Sequence, residues 1–271
     1  MDTLLGLLFA PVAKRLDRAQ RSPQALMWRA VLAQCVFLPL AFIIGVYLNA
    51  FVALPYIGPP VAALILARTI AFRSAWDNGQ SVAIMAEAAR GWTETITHTL
   101  ARDWLSTAVL FTLGGFALWL PFRFLSAVTN QRERTGTTKP SSHFERAFIP
   151  LFDLAALMGS IWAALLFAFS TIFVPGTQLT AIAGFAAVRL RGILSRVIPL
   201  TVVAYALNFS FATRSKRSDG ASTWIGPKQG RAKLTSDDLR LAHKLMLTAC
   251  GLSFVTMAML GLILMVYATG R

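Results

Sequence analysis

The chain has 271 residues, of which 56% are hydrophobic and 14% are charged, and its mean hydropathy is +0.59. Because an ordinary soluble domain carries about 25% charged residues, this composition predicts an integral membrane protein and excludes the secreted, fibrous and disordered classes. Lys and Arg total 26 against 12 Asp and Glu, a net charge of +14, and these basic residues flank apolar runs, which indicates membrane topology rather than a nucleic-acid partner.

The N-terminal segment, residues 1–29, is basic. Its apolar stretch 1–13 precedes the basic residues instead of following them, which is the reverse of a secretory signal peptide. The pattern predicts a short amphipathic anchor that lies in the membrane interface.

Residues 30–67 contain no charged residue and no histidine, and this run is long enough for two membrane passes. Four residues that disfavour helix interrupt the run near its middle: Pro55, Gly58, Pro59 and Pro60. Proline removes a backbone donor and glycine permits a tight reversal. We therefore expect a helical hairpin over 30–70 whose second arm is short or re-entrant.

The segment 80–104 has apolar residues at helical spacing, while polar residues such as Glu94 and His98 occupy another face. It predicts an amphipathic helix in the cytoplasm, outside the bilayer core. The uncharged run 104–122 that follows contains Gly114, Gly115 and Pro121, and it either crosses the membrane or folds back. The positive-inside rule favours a re-entrant hairpin, because the basic loop 128–146 then shares the cytoplasmic side with the other basic segments.

The C-terminal half contains two apolar runs before a final helix. Residues 154–174 form a clean span, and residues 197–213 are at the lower length limit for one. Residues 214–235 form a basic loop. The string Thr235-Ser236-Asp237-Asp238 is a capping box that opens a C-terminal membrane helix over 236–271.

These elements predict an all-α fold: a polytopic integral membrane protein with four to six membrane segments, one of them re-entrant, in a single domain 1–271. Within it, residues 105–213 hold the central membrane segments. The expected location is the bacterial inner membrane, with the basic loops in the cytoplasm.

Few residues carry recognisable chemistry. The motifs of common soluble enzymes are missing, and the three histidines, His98, His143 and His243, lack ligand-like spacing, so we expect surface histidines and no metal site. Asp153 borders an apolar span, where a carboxylate is a candidate functional residue or an N-cap. Arg189 and Arg196 either bind an anionic ligand or anchor their helix by snorkelling.

A collinear set of short strings carries a family resemblance. The strings are Leu113-Gly114-Gly115, Phe122-Arg123, the stretch 151–155, Trp224-Ile225-Gly226-Pro227 and the stretch 234–240. In order and spacing they resemble the CobD/CbiB family, the membrane-bound adenosylcobinamide-phosphate synthases of cobalamin biosynthesis. The resemblance implies a helical membrane fold, and its ligand-binding candidates are Arg123, Trp224, Gly226, Asp237 and Asp238.

The chain departs from this family where the family has acids. The family joins an aminopropanol-type amine to adenosylcobyric acid, and the resemblance assigns that work to acidic side chains. His98 and Arg102 stand at the positions of two family glutamates, and Phe152 replaces one of two paired aspartates, so Asp103 and Asp153 are the remaining catalytic candidates. Catalytic groups act as a unit, which favours a catalytically degenerate relative, similar in outline to the AmpE-like members of the superfamily.

The expected function is therefore an accessory or scaffold subunit of a membrane complex, which binds the lipid bilayer and membrane-protein partners or a second copy of itself, and no nucleic acid. No cofactor is expected for such a protein. The alternative is an active synthase in which Asp103, Asp153 and residues 224–238 form a rebuilt site, and a corrinoid is then expected. A small-solute transporter is a weaker alternative, favoured by the broken helices but not by any internal repeat.

Overall fold

The structure is a computed structural model that describes residues 15, 22–52, 86–135, 143–188, 194–213, 223–227, 229–231 and 236–269. The chain groups into two compact units. The first contains residues 1–70 and 106–156, and the second contains residues 71–105 and 157–271. The domain 1–271 inferred from the sequence thus consists of two packing units.

Most of the described residues are helical. In chain order the elements are α1 (Pro23–Val52), α2 (Ala86–His98), a π-helix (Thr99–Leu105), α3 (Ser106–Gly114), α4 (Phe116–Thr135), α5 (His143–Arg146), α6 (Ile149–Ser170), α7 (Ala181–Ala186), α8 (Leu194–Leu207), β1 (Phe211–Thr213), β2 (Thr223–Ile225) and α9 (Ser236–Thr269). The antiparallel pair of β1 and β2 corrects the all-α prediction in one detail. The N-terminal anchor and the second arm of the predicted hairpin lie almost entirely outside the described residues.

Three of the described helices are long and apolar enough to cross a membrane: Pro23–Val52, His143–Ser170 and Asp237–Ile263. Only 11% of the most apolar window of the first and 17% of that of the third are buried inside the protein. Large apolar side chains such as Leu32 and Val36 on α1 and Phe254 on α9 are more than half exposed. Contiguous apolar surfaces of this kind face lipid or partner helices rather than water. The structure therefore supports the membrane-protein prediction at the level of three candidate spans.

Aromatic side chains and a close helix approach hold the first unit together. Phe122 of α4 stacks on Phe152 of α6 with ring centroids 5.5 Å apart, and Phe124 stacks on Phe37 of α1 at 5.6 Å. An added Cβ at Gly45 of α1 would collide with the backbone of Phe116. Glycine at this position therefore lets α1 and α4 approach closely.

A helix break at Gly115 divides the predicted run 104–122. Gly115 has φ of +59°, a left-handed conformation that glycine adopts without a steric penalty. Asn49 of α1 spans the break: its Nδ2 donates to the Gly114 carbonyl at 3.1 Å, and its Oδ1 accepts from the Phe116 amide at 2.7 Å. One side chain thus pairs a donor and an acceptor in apolar surroundings, where unpaired groups are costly. The run consists of α3 and α4, and its re-entrant course stays a prediction.

Asn49→Leu is expected to lower the free energy of unfolding by about 2 kcal/mol, because both hydrogen bonds at the break are lost and their backbone partners are left in partly buried surroundings. Denaturant-induced unfolding in detergent micelles measures this change. The control is Tyr47→Leu on the same helix, at a side chain that is 73% exposed, where a change below about 0.5 kcal/mol is expected. Equal losses in the two variants would contradict the role of Asn49.

In the second unit, α2 and the π-helix lie along α9. Trp92 stacks on His243 with ring centroids 5.7 Å apart, and further along, the Trp104 indole N–H donates to Ser253 Oγ at 3.2 Å. The later residue of the first segment, Trp104, contacts the later residue of α9, Ser253. The segment formed by α2 and the π-helix therefore runs parallel to α9. The cytoplasmic location of this amphipathic helix stays a prediction, and its described packing is against a candidate membrane span.

The described end of α8 corrects the predicted span 197–213. Asn208 takes φ of 55°, and the Phe209 amide donates to the Ala204 carbonyl at 2.9 Å, so the helix ends at Leu207 and β1 follows. With 14 residues, α8 is about 21 Å long, which is shorter than the roughly 30 Å hydrocarbon core of a bilayer. A polar αL residue and a β-strand thus lie in the last third of the expected span, residues 208–213.

The predicted C-terminal helix is observed as α9, which begins at Ser236 with Asp237 and Asp238 in its first turn, and the capping box itself stays a prediction because Thr235 lies outside the described residues. Acids at this end are favoured by the helix macrodipole. The helix then continues for 34 residues without interruption.

Candidate functional site

Three polar side chains from two helices form a compact group in the second unit, named here the Glu94 cluster: Glu94, His98 and Arg196. Glu94 and His98 lie one turn apart on α2, and Arg196 lies in the first turn of α8. Arg196 Nε donates to His98 Nε2 at 3.0 Å, and Arg196 Nη2 donates to Glu94 Oε1 at 3.1 Å. The side chains of His98 and Glu94 are 13% and 25% exposed. The cluster therefore joins α2 to α8 through partly buried polar contacts.

The hydrogen bond from Arg196 assigns the tautomer of His98. A guanidinium only donates, so Nε2 must be the accepting nitrogen and the proton of the neutral ring lies on Nδ1. The Glu94 oxygen is 3.6 Å from Nε2, which is too long for a hydrogen bond. Arg196 is thus the cationic partner of Glu94, and His98 is a neutral member of the cluster.

The lowered pKa of His98 agrees with a neutral ring. Burial, together with the positive charges of Arg196 and Arg102, lowers the pKa of His98 to about 4, although Glu94 opposes the shift. His98 beside it and the Arg196 charge hold the pKa of the Glu94 carboxyl below its ordinary value. At neutral pH the cluster therefore contains an ionised carboxylate, a neutral imidazole and a guanidinium.

The helix that carries Glu94 and His98 continues directly into the π-helix, a segment of seven residues. π-Helices are rare in proteins, and those that occur are frequently found at functional sites. Threonine hydroxyls before and at its start donate to carbonyls four residues back: Thr95 to Gly91, Thr97 to Thr93 and Thr99 to Thr95. Such bonds compete with the helical ladder and bend helices. The threonine-rich sequence thus gives a local reason for the widened turn.

The structure places the predicted C-terminal site residues around one structural contact. Gly226 has φ of +142°, and an added Cβ would collide with the Phe209 carbonyl. The side chain of Asp238 is 8% exposed and accepts a hydrogen bond from Arg231 Nη2 at 2.8 Å. The Arg231 guanidinium also lies 5.8 Å from the centre of the Phe209 ring. Gly226 and Asp238 are thus brought together by packing.

Two other predicted residues of this region lie at the surface. Trp224 of β2 is 54% exposed. The side chain of Asp237 is 85% exposed, with one carboxylate oxygen 3.7 Å from Arg240. Both are accessible to a ligand or to a partner, and their binding roles stay predictions.

The remaining predicted residues are divided between the two units. Asp103 lies half-buried in the π-helix of the second unit, whereas Arg123 and Asp153 belong to the first. Arg123 of α4 is only 2% exposed. Asp153 is half-buried and follows the first turn of α6, which holds no acid. An N-cap precedes the first turn, so the capping interpretation of Asp153 is wrong.

Sequence reasoning missed the Glu94 cluster as a unit. His98 was expected at the surface or the membrane interface, and the structure buries it with Arg196 donating to Nε2, while its Nδ1 has no hydrogen-bond partner among the described residues. The signal in the sequence was the spacing of Glu94, His98 and Arg102, each four residues from the next, which puts them on one helical face. Nothing in the sequence paired this face with Arg196.

Among the described residues, no group of three or more His, Cys, Asp or Glu side chains is placed to hold a metal ion. No protein-family model, no curated protein and no solved structure matches this chain. The CobD/CbiB resemblance therefore rests on the strings quoted above.

Proposed function

We propose that this chain is a CobD/CbiB-like protein of the bacterial inner membrane that has lost synthase chemistry and acts as an accessory or scaffold subunit of a membrane complex. The proposal rests on one observation: residues at positions that resemble the family's motifs make hydrogen bonds within the protein. His98, at the position of a family glutamate, accepts a hydrogen bond from Arg196, and Asp238 is paired with Arg231. Side chains held in this way stabilise the fold and are withdrawn from substrate.

The exposed apolar helix faces support the same proposal. On α9, Phe254, Leu262 and Tyr267 are each at least 60% exposed. Lipid covers such a face in the bilayer, and so does a partner helix. A scaffold needs surface of this kind, and the predicted partners, a membrane subunit or a second copy of the chain, would bind there.

The alternative is an active synthase for a corrinoid substrate. The π-helix favours it, because Asp103 lies in a type of segment that is common at functional sites. In that case Asp103 is one acid of a rebuilt site, and Asp153 is the other candidate.

Growth complementation tests the proposal against this alternative. A bacterium that lacks its own adenosylcobinamide-phosphate synthase receives this chain and cobyric acid, and cobalamin-dependent growth is scored. We expect no growth, with the protein present in the membrane fraction and with other membrane subunits copurifying in fixed stoichiometry. Growth that is lost in Asp103→Ala or Asp153→Ala would overturn the scaffold proposal and support the enzyme.

The turn after α6 bears on the orientation in the membrane. Phe173, Val174 and Pro175 line a crevice with Lys244 and Leu247 of α9, so the end of α6 lies beside the beginning of α9. If α6 and α9 both cross the bilayer, their beginnings then face opposite compartments. If both helices cross, the basic segments before α6 and before α9 lie on opposite sides of the membrane. They are then not both cytoplasmic, contrary to the expectation from the positive-inside rule.

The predicted loop 128–146 is helical at both described ends, since α4 runs to Thr135 and α5 covers His143–Arg146. We expect this basic segment and the basic segment 214–235, which precede α6 and α9, to be labelled from opposite sides of the membrane. With 22 residues, α6 is about 33 Å long, which is enough to cross the hydrocarbon core. Single cysteines in each loop are reacted with an impermeant maleimide in spheroplasts and in inverted vesicles, in a chain whose free thiols Cys35 and Cys250 are replaced by alanine. Labelling of both loops from the cytoplasmic side would mean that α6 does not cross.

A further inference from the structure

Arg196 keeps one donor edge beyond the Glu94 cluster. Its side-on edge is occupied, since Nε donates to His98 and Nη2 donates to Glu94. Among the residues that the structure describes, Nη1 makes no hydrogen bond. The Arg196 side chain is 36% exposed, and its end-on edge is formed by Nη1 and the second Nη2 hydrogen.

The two existing hydrogen bonds fix the orientation of this edge. Bonds of 3.0 and 3.1 Å from one edge of a planar group leave the guanidinium little freedom to rotate. The end-on edge then presents two parallel N–H donors, a fork that matches two oxygens of a phosphate group. Because the fork is held in place before a ligand arrives, less entropy is lost on binding.

The surrounding charges favour an anion on this face. The Glu94 carboxylate is already shared with Arg196. Arg102 lies four residues after His98, hence on the same face, and its positive charge acts on His98. Asp103 is the next residue and is rotated by about 80 to 100° around the helix. The helix face that carries Glu94 and His98, against which Arg196 of α8 packs, therefore also carries the guanidinium of Arg102.

We propose that the end-on edge of Arg196, with Arg102 beside it on the same face, is a binding site for a phosphate-class oxyanion. The phosphate of an anionic phospholipid and the phosphate of a soluble metabolite share this chemistry. The site is distinct from the acids on which synthase activity would depend, and it is independent of the scaffold proposal.

Arginine modification tests the site on the wild-type chain. Phenylglyoxal is applied to the full protein in neutral detergent, and modification of each arginine is followed by mass spectrometry with inorganic phosphate or with phosphatidylglycerol added. We expect modification of Arg196 to slow about tenfold near saturation, while Arg240, whose side chain is 81% exposed, serves as an internal control and reacts unchanged. Protection by phosphatidylglycerol alone identifies a lipid headgroup, and protection by inorganic phosphate identifies a soluble ligand. No protection by either, or equal protection of both arginines, overturns the proposal.

Binding by variants provides a second measurement. Arg196→Lys retains the positive charge but lacks the fork, and Arg102→Gln leaves the bonds of Arg196 in place. We expect Arg196→Lys to weaken binding of the protecting ligand at least about tenfold, Arg102→Gln to weaken it several-fold, and Arg240→Gln to leave it unchanged. Unaltered binding in the first two variants would overturn the proposal, whatever their stability.

Discussion

Arg196→Met is expected to lower the free energy of unfolding by about 3 kcal/mol. Removing one partner of a buried ion pair typically costs about 3 to 5 kcal/mol, because the other charge is left without compensation, and the Arg196–Glu94 pair is partly buried. The lower end applies because the Glu94 side chain keeps 25% of its surface exposed. His98 also loses the donor to its Nε2. Denaturant-induced unfolding in detergent micelles measures the change.

The double variant Glu94→Gln/Arg196→Met separates the ion pair from simple packing. We expect it to recover more than half of the loss, because no buried charge then remains uncompensated. Arg240→Met is the matched control on the surface, where an i,i+3 contact with Asp237 is worth little. An Arg196→Met variant as stable as the Arg240→Met variant would contradict the clamp between α2 and α8.

Stability is expected to fall by about 3 kcal/mol as the pH decreases from about 6.5 to about 4, because of His98. Its pKa in the folded protein is about 4, against an ordinary value of 6.5. In this interval the unfolded chain binds a proton that the folded protein excludes, so acid favours unfolding. Above pH 6.5 both states are neutral at this residue and its contribution is complete. The groups that face the ring are Glu94, Arg196 and Arg102.

His98→Gln is the control for this pH dependence, because the glutamine carbonyl accepts from Arg196 without titrating. We expect its unfolding midpoint in detergent to vary much less between pH 6.5 and 4.5 than that of the wild type. Below that interval, protonation of Glu94 lowers the free energy of unfolding further. Its pKa is lower in the folded protein than its ordinary value, so acid protonates the unfolded chain first and favours unfolding. Parallel pH profiles for the two proteins would refute the burial of a neutral His98.

The helices that local sequence signals define were predicted well. The string that ends in Asp237 and Asp238 predicted a helix start here, and α9 begins at Ser236 with both acids in its first turn, where the helix macrodipole favours negative charge. The uncharged run 154–174 predicted α6, observed as Ile149–Ser170. Such elements depend on residues within one or two turns, so the chain alone specifies them.

Elements that depend on distant contacts were predicted less well. The apolar run 197–213 has the composition of a span, yet α8 stops at Leu207 because Asn208 turns the chain and β1 pairs with β2. The break at Gly115 was visible as a glycine pair, but its completion by Asn49, 67 residues away from Phe116, was not. A single sequence does not state which distant segment supplies the missing hydrogen bonds.

The candidate site shows the same division. Composition and charge predicted a membrane protein without reference to any contact, because exposing so much apolar surface to water is unfavourable whatever its arrangement, and the structure supports this with three candidate spans. The spacing of Glu94 and His98 also followed from the sequence. Only the tertiary structure decided that Arg196, 98 residues away from His98, closes the cluster and keeps that imidazole neutral, since burial and charge compensation arise from helices that meet in space.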